Sequence, residues 1–170
     1  MPRTHVALAA VILVVAGALA SSSAPSHAAD DEIGQMPVWR PPTGSVRLID
    51  AYTAPADRFS RGHRGVDLAS EAGAVLRAPA AGVVAFAGKV VDRVVITVDH
   101  GDGYVTTLEP VDQPLPVGAT VRMGDPLARA GRGGHSPPGS VHFGVRLHGE
   151  YLNPLLMIDG GLRAVLLPCC

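Results

Sequence analysis

VVITVDHGDGYVTTL, residues 94–108, decides the fold class. Val94 to His100 is dense in β-branched side chains, which crowd a helix and pack well on a pleated surface. Gly101-Asp102-Gly103 then supplies residues that accept the positive φ of a tight hairpin turn. Tyr104 to Leu108 runs back. The unit reads as an antiparallel hairpin, and the same pattern repeats on either side of it. VRLI (Val46 to Ile49) and VVAFAG (Val83 to Gly88) precede it; LARAG (Leu127 to Gly131) and VHFGVRL (Val141 to Leu147) follow. No long segment carries a 3.6-residue period. The 20 glycines and 15 prolines supply frequent turns rather than long helices. The expectation is an all-β fold, a β-sandwich or barrel of short antiparallel strands. Within PVGATVRMGDPLARAG (Pro116 to Gly131), glycines permit tight turns and valines are expected to pin them to the core.

The chain has 170 residues and a formal net charge of −1. That length suits one domain with a real core. The near-neutral balance points to neither nucleic acid nor an anionic membrane as partner. Val6 to Ala20 is apolar and too short for a comfortable span. Ser26-His27-Ala28 after it has the small residues of a cleavage site, so residues 1–28 read as a secretory signal peptide. No stable membrane anchor is expected after cleavage, and the location is secreted or cell-envelope. Residues 29–44, acidic and then proline-rich, read as a linker, residues 45–158 as the domain, and 159–170 as a tail. The only cysteines, Cys169 and Cys170, are adjacent and cannot readily bridge each other.

Two stretches carry candidate chemistry. HRGVD holds His63 and Asp67 around Gly65. Four residues apart on a straight strand means about 13 Å, too far to share one metal with bonds of about 2 Å. A tight bend at Gly65 would fold both toward one point, where nitrogen plus carboxylate suits zinc. An exposed turn with a structural His–Asp contact is the competing reading. In GSVHFGVR (Gly139 to Arg146), Ser140, His142, Gly144 and Arg146 alternate away from the apolar Val141, Phe143, Val145 and Leu147. Alone, His142 reads as a structural histidine. Beside HRGVD, a three-ligand site becomes an alternative to that structural role, and three ligands with an open fourth position is the catalytic zinc arrangement.

HxGxD, HGDGY, the glycine-spaced turn and VHFGVR followed by Asn153-Pro154-Leu155 together resemble the lysostaphin/LytM-type peptidoglycan metallopeptidases. The resemblance covers Val46 to Ile158. It implies a duplicated hybrid (barrel-sandwich) fold, Zn2+ held by His63, Asp67 and His142, and cleavage of peptidoglycan stem peptides or cross-bridges. The chain departs from that pattern at three places. Ser140 stands where the family has the first histidine of H-x-H, and Pro110 where it has another assisting histidine. Gly144 replaces a glutamate. The result resembles a secreted actinobacterial branch of the family, which usually has cysteines near the positions of Ser136 and Ser140, so the resemblance implies that a local disulfide is missing here.

Each lost assisting group is worth about 10²–10⁴ in rate. Candidate substitutes are His135 in RGGHSPPG, Glu109 and Ser140, against the plainer readings of a loop histidine, a solvated carboxylate and a hydroxyl that cannot act as a base. His135 is also a candidate fourth ligand of a closed zinc site. His100 reads as structural and His148 as a surface turn. Two functions follow: a slow or degenerate zinc endopeptidase of the cell wall, or an inactive zinc-binding module that binds peptidoglycan or regulates other cell-wall hydrolases. A biotinyl- or lipoyl-carrier role is set aside, because the single lysine, Lys89, lacks the required hairpin context.

Overall fold

The computed structural model describes residues 37–57, 59–134 and 136–158. The expected signal peptide, the cysteine tail and His135 lie outside the described residues. No helix among those described is long and apolar enough to cross a membrane.

The hairpin read from Val94 to Leu108 is present. Strand β5 (Arg93–Gly101) pairs antiparallel with β6 (Tyr104–Glu109), and Gly101 faces Tyr104. The turn between them is Asp102-Gly103, with φ of 50° and 81°. Two successive positive φ values match the right-handed twist of the strands they join. β4 (Gly82–Val90) pairs with the other edge of β5. Around this meander lie β1 (Leu48–Asp50), β2 (Val66–Ala69), β8 (Thr120–Val121), β10 (Ser140–Leu147) and β11 (Glu150–Leu152). They form an eight-stranded sheet ordered β1-β2-β10-β6-β5-β4-β8, with β11 also on β10. A second sheet, β3-β9-β7, joins β3 (Val75–Arg77), β9 (Pro126–Ala130) and β7 (Val111–Asp112).

Both sheets feed one core. Val66, Leu68, Val84, Ile96, Val98, Leu108, Val141, Phe143 and Val145 come from the large sheet; Leu76, Val111, Leu127, Ala128 and Ala130 come from the small one. The all-β, antiparallel expectation therefore matches. Several details differ. β1 is an exposed edge strand: Leu48 and Ile49 face solvent, so it fences the sheet rather than filling the core. Val121 is buried while Val117 is exposed, so only one of the two valines near Gly118 pins that turn.

Part of the stretch expected to be linker is packed. Trp39 is 4% exposed. Its N–H donates to the Met157 carbonyl at 2.7 Å, and its ring meets His100 and Tyr104. Arg77 N–H donates to the Pro42 carbonyl. A large aromatic with an apolar slot to fill is held by burial, whatever the proline content around it.

Candidate metal centre

His63 sits just before the bend. Its backbone exchanges two hydrogen bonds with Thr53, His63 N–H to Thr53 O at 2.9 Å and Thr53 N–H to His63 O at 3.0 Å. The chain bends at Arg64-Gly65 and enters β2 at Val66. Asp67 then faces His142 directly across the β2–β10 ladder, and His142 in turn faces Glu109 across β10–β6. Residues directly opposite in a sheet share a face. Asp67, His142 and Glu109 thus form one row over three strands, and the bend folds His63 over it.

Three donor atoms meet there. His63 Nε2 and His142 Nδ1 are 3.0 Å apart. His142 Nδ1 lies 3.0 Å from Asp67 Oδ1, and His63 Nε2 lies 3.4 Å from that oxygen. Tetrahedral zinc with bonds of about 2.0–2.1 Å separates its ligand atoms by about 3.3–3.4 Å. The observed triangle is of that size. The opposite nitrogen of His63, Nδ1, donates to the Ala51 carbonyl at 2.8 Å. That bond fixes the tautomer and turns the Nε2 lone pair inward, the arrangement that orients a ligating histidine. Asp50 Oδ2 stands 3.7 Å from the same Nδ1. Asp67 is almost fully buried, while the two imidazoles keep about a fifth of their side-chain surface open. The donor set is two imidazole nitrogens and one carboxylate oxygen, converging within 4.8 Å of one another. It fits a divalent ion such as zinc.

Gly65 makes this geometry possible. A Cβ there would stand 2.5 Å from His142 Nε2 and 2.5 Å from the Phe143 carbonyl oxygen. Only a residue without a side chain lets the bend lie against β10.

The other candidates are engaged elsewhere. Glu109 lines a cleft of about 430 Å³ with His142, Gly144, Arg64, Arg93 and Arg146. Its Oε1 accepts from Arg93 Nη2 at 2.9 Å, and this bond raises the Arg93 pKa further above its ordinary range. Ser140 is 5% exposed, and its hydroxyl donates to the Pro137 carbonyl at 2.6 Å. Its single proton is therefore spent within its own loop. Ser140 and Pro110, distant in sequence, line one common hollow of about 600 Å³ with Ser70 and the Gly131–Gly134 segment. Ser140 is two residues from His142 and Pro110 follows Glu109, so the hollow adjoins the row. Among the described residues, the cleft holds no histidine besides His142. His100 is structural: Nδ1 donates to Ala81 O at 2.8 Å, and Nε2 accepts from the Thr106 hydroxyl at 2.8 Å. Burial pushes its pKa below the usual value, against smaller opposing effects of Ala81 and Asp99. His148 occupies the β10–β11 turn against Gly103. Arg93 was not singled out from sequence; a lone arginine at a strand start carries no signal until Glu109 is placed beside it.

Comparison with known proteins gives concordant matches. The model of peptidase family M23 matches residues 61–154. An uncharacterised protein of Mycobacterium tuberculosis is 35% identical over 133 residues, covering 72% of this chain and 48% of that one. The murein hydrolase activator NlpD of Salmonella typhimurium is 27% identical over 158 residues, covering 91% of this chain and 40% of that one. The chain thus spans about half the length, or less, of these curated relatives. Among solved structures, a zinc-containing peptidase from Vibrio cholerae superposes with a TM-score of 0.55 at 21% identity, over 69% of this chain and 37% of that one.

Proposed function

The chain belongs to peptidase family M23, and from that membership we propose that it is an extracytoplasmic zinc-binding protein that acts on peptidoglycan peptides as a slow endopeptidase. The observation that carries this reading is the triangle of His63 Nε2, Asp67 Oδ1 and His142 Nδ1, with edges of 3.0, 3.0 and 3.4 Å. These three residues would hold the ion. Bound zinc polarises a scissile carbonyl and lowers the pKa of a water. Support for a cell-wall substrate comes from the family and from the activator NlpD among the relatives. Support for zinc comes also from the zinc-containing Vibrio peptidase.

The residues around the triangle limit the rate. Asp67 and the His63–Ala51 bond orient the donors. His142 lines the cleft, so a peptide lying there would approach the triangle from the His142 side. Proton movement then falls to Glu109, the one carboxylate among the described residues that line that cleft, and Arg93 already holds it. To take a proton, Glu109 must weaken that ion pair. Ser140 keeps its proton on Pro137 and offers none. Losing two proton-transfer or oxyanion groups costs about 10⁴ or more in rate if their effects multiply.

One observation favours a second reading, a zinc-binding regulator without hydrolysis. Both places where the family has assisting histidines, Pro110 and Ser140, front one hollow whose described lining has no imidazole. Metal analysis of wild type, His63→Ala and His142→Ala tests the site. About one zinc per chain is expected in wild type, with loss in both variants; unchanged content in both sinks the metal centre. Mass spectrometry of digested sacculi separates the two functions. Slow, chelator-sensitive release of muropeptides supports the enzyme. No release over a long incubation with zinc-loaded protein leaves the regulator. Fast release refutes the degenerate site.

A further inference from the structure

We infer that Arg146 is the carboxylate-binding residue of the cleft, selecting peptides that bear a free carboxylate a few residues from the triangle. The inference rests on the peptide substrate proposed above and names its chemical class more closely. Three features of β10 carry it. His142, Gly144 and Arg146 alternate on one strand face, so the donor row and Arg146 open onto the same side. Gly144 stands between them without a side chain. A Cβ there would meet nothing closer than Arg64 O at 3.5 Å and His142 Nε2 at 3.7 Å, and Gly144, itself buried, lines the cleft between His142 and Arg146. The Arg146 guanidinium has no hydrogen-bond or ion-pair partner among the described residues and borders both the 430 Å³ cleft and an adjoining groove of about 730 Å³.

The neighbouring charges do not replace a ligand. Glu109 is taken by Arg93. The Asp57 carboxylate accepts from Phe59 N–H and from the Ser60 N–H and hydroxyl. Glu150 is exposed at the outer turn and makes no ion pair with Arg146. Arg64 adds a second positive charge to both spaces, its guanidinium 5.8 Å from the centre of the Tyr151 ring and its Nη2 donating to Ser60 O. An arginine fork matches a carboxylate with two parallel hydrogen bonds. His142 and Arg146 lie about 13 Å apart along the strand, the reach of about four extended residues. A peptide with its labile bond at the triangle would place a carboxylate up to about four residues away on Arg146.

Stem peptides offer carboxylates from two sources, the chain terminus and the side branch at glutamate. Both are tested with fluorescent stem tetrapeptides: the free acid, the terminal amide, and the isoglutamine form. Binding is measured by anisotropy to zinc-loaded protein and again after chelation. Wild type is expected to prefer the free acid over one of the amides by about tenfold or more, as a charge-assisted bond implies; the amide that loses affinity identifies the source. Arg146→Gln should bind the peptides alike while keeping its zinc. Equal affinity of wild type for all three peptides overturns the proposal without touching the metal site. So does an undiminished preference in Arg146→Gln. Loss of zinc in His63→Ala with no change in carboxylate preference separates the two claims.

Discussion

Replacing Gly65 by alanine adds one methyl group, and the structure fixes what that methyl meets. Its Cβ would lie 2.5 Å from His142 Nε2, 2.6 Å from His142 Cε1 and 2.5 Å from the Phe143 carbonyl oxygen. Favourable separations of heavy atoms run about 3.5–4.0 Å, so the bend must retreat by roughly 1 Å. The imidazole could rotate away, but only by leaving the triangle. The carbonyl cannot move, because β10 is laddered to β2 on one side and β6 on the other. Overpacking of this kind costs about 1–3 kcal/mol. At roughly 4 °C per kcal/mol for a domain of this size, the melting point should fall by about 4–12 °C. A displacement of about 1 Å also exceeds the roughly 0.2 Å tolerance of a metal bond, so zinc affinity should drop at least tenfold. Gly144→Ala is the control in the same cleft, since its Cβ would find ordinary contacts of 3.5 and 3.7 Å. Its melting point should stay within about 2 °C of wild type. Thermal unfolding followed by circular dichroism and competition with a zinc chelator dye read both effects. A Gly65→Ala protein with the melting point and zinc affinity of wild type would falsify the account of the bend.

Three further outcomes follow from the structure. Trp39→Ala empties a buried slot beside His100 and Tyr104, and should cost about 3–5 kcal/mol in urea unfolding; a loss under about 1 kcal/mol would return this stretch to the role of linker. Ser140→Ala removes the bond to Pro137 and should cost about 1 kcal/mol with zinc content unchanged; loss of zinc would give Ser140 a place in the metal centre. His100 has its pKa lowered in the fold by burial, so the unfolded chain binds the proton more readily. Its neutral form contributes stability that is fully present above about pH 6.5 and is lost as pH falls below that toward the folded value. Metal-free wild type should therefore lose more stability than metal-free His100→Gln between about pH 7 and 5. Parallel pH profiles for the two proteins would contradict that assignment.

Much of the site was legible because its parts are local. HRGVD places a nitrogen and a carboxylate around a glycine, and the alternation of GSVHFGVR turns His142 away from the core. Strand registers were not legible. Nothing in either stretch says that Asp67 lies opposite His142 and that Glu109 continues the row. The short strands β2, β3, β7, β8 and β11 escaped for a related reason. At two to four residues each, they carry no readable alternation and exist through their ladders.

The sequence by itself determined the class of fold and the kinds of donor atom, because turn residues, β-branched runs and side-chain chemistry act over a few residues. Tertiary structure alone decided which groups remain available. Sequence leaves Ser140 a candidate hydrogen-bonding group and Glu109 either a base or a solvated carboxylate; in the fold Ser140 is tied to Pro137 and Glu109 is held by Arg93. Arg146, one arginine among several in the sequence, borders the cleft without a hydrogen-bond or ion-pair partner among the described residues. Those outcomes depend on pairings between residues far apart in the chain. A hydrogen bond or ion pair is settled by distance in space, which the linear order of residues does not contain.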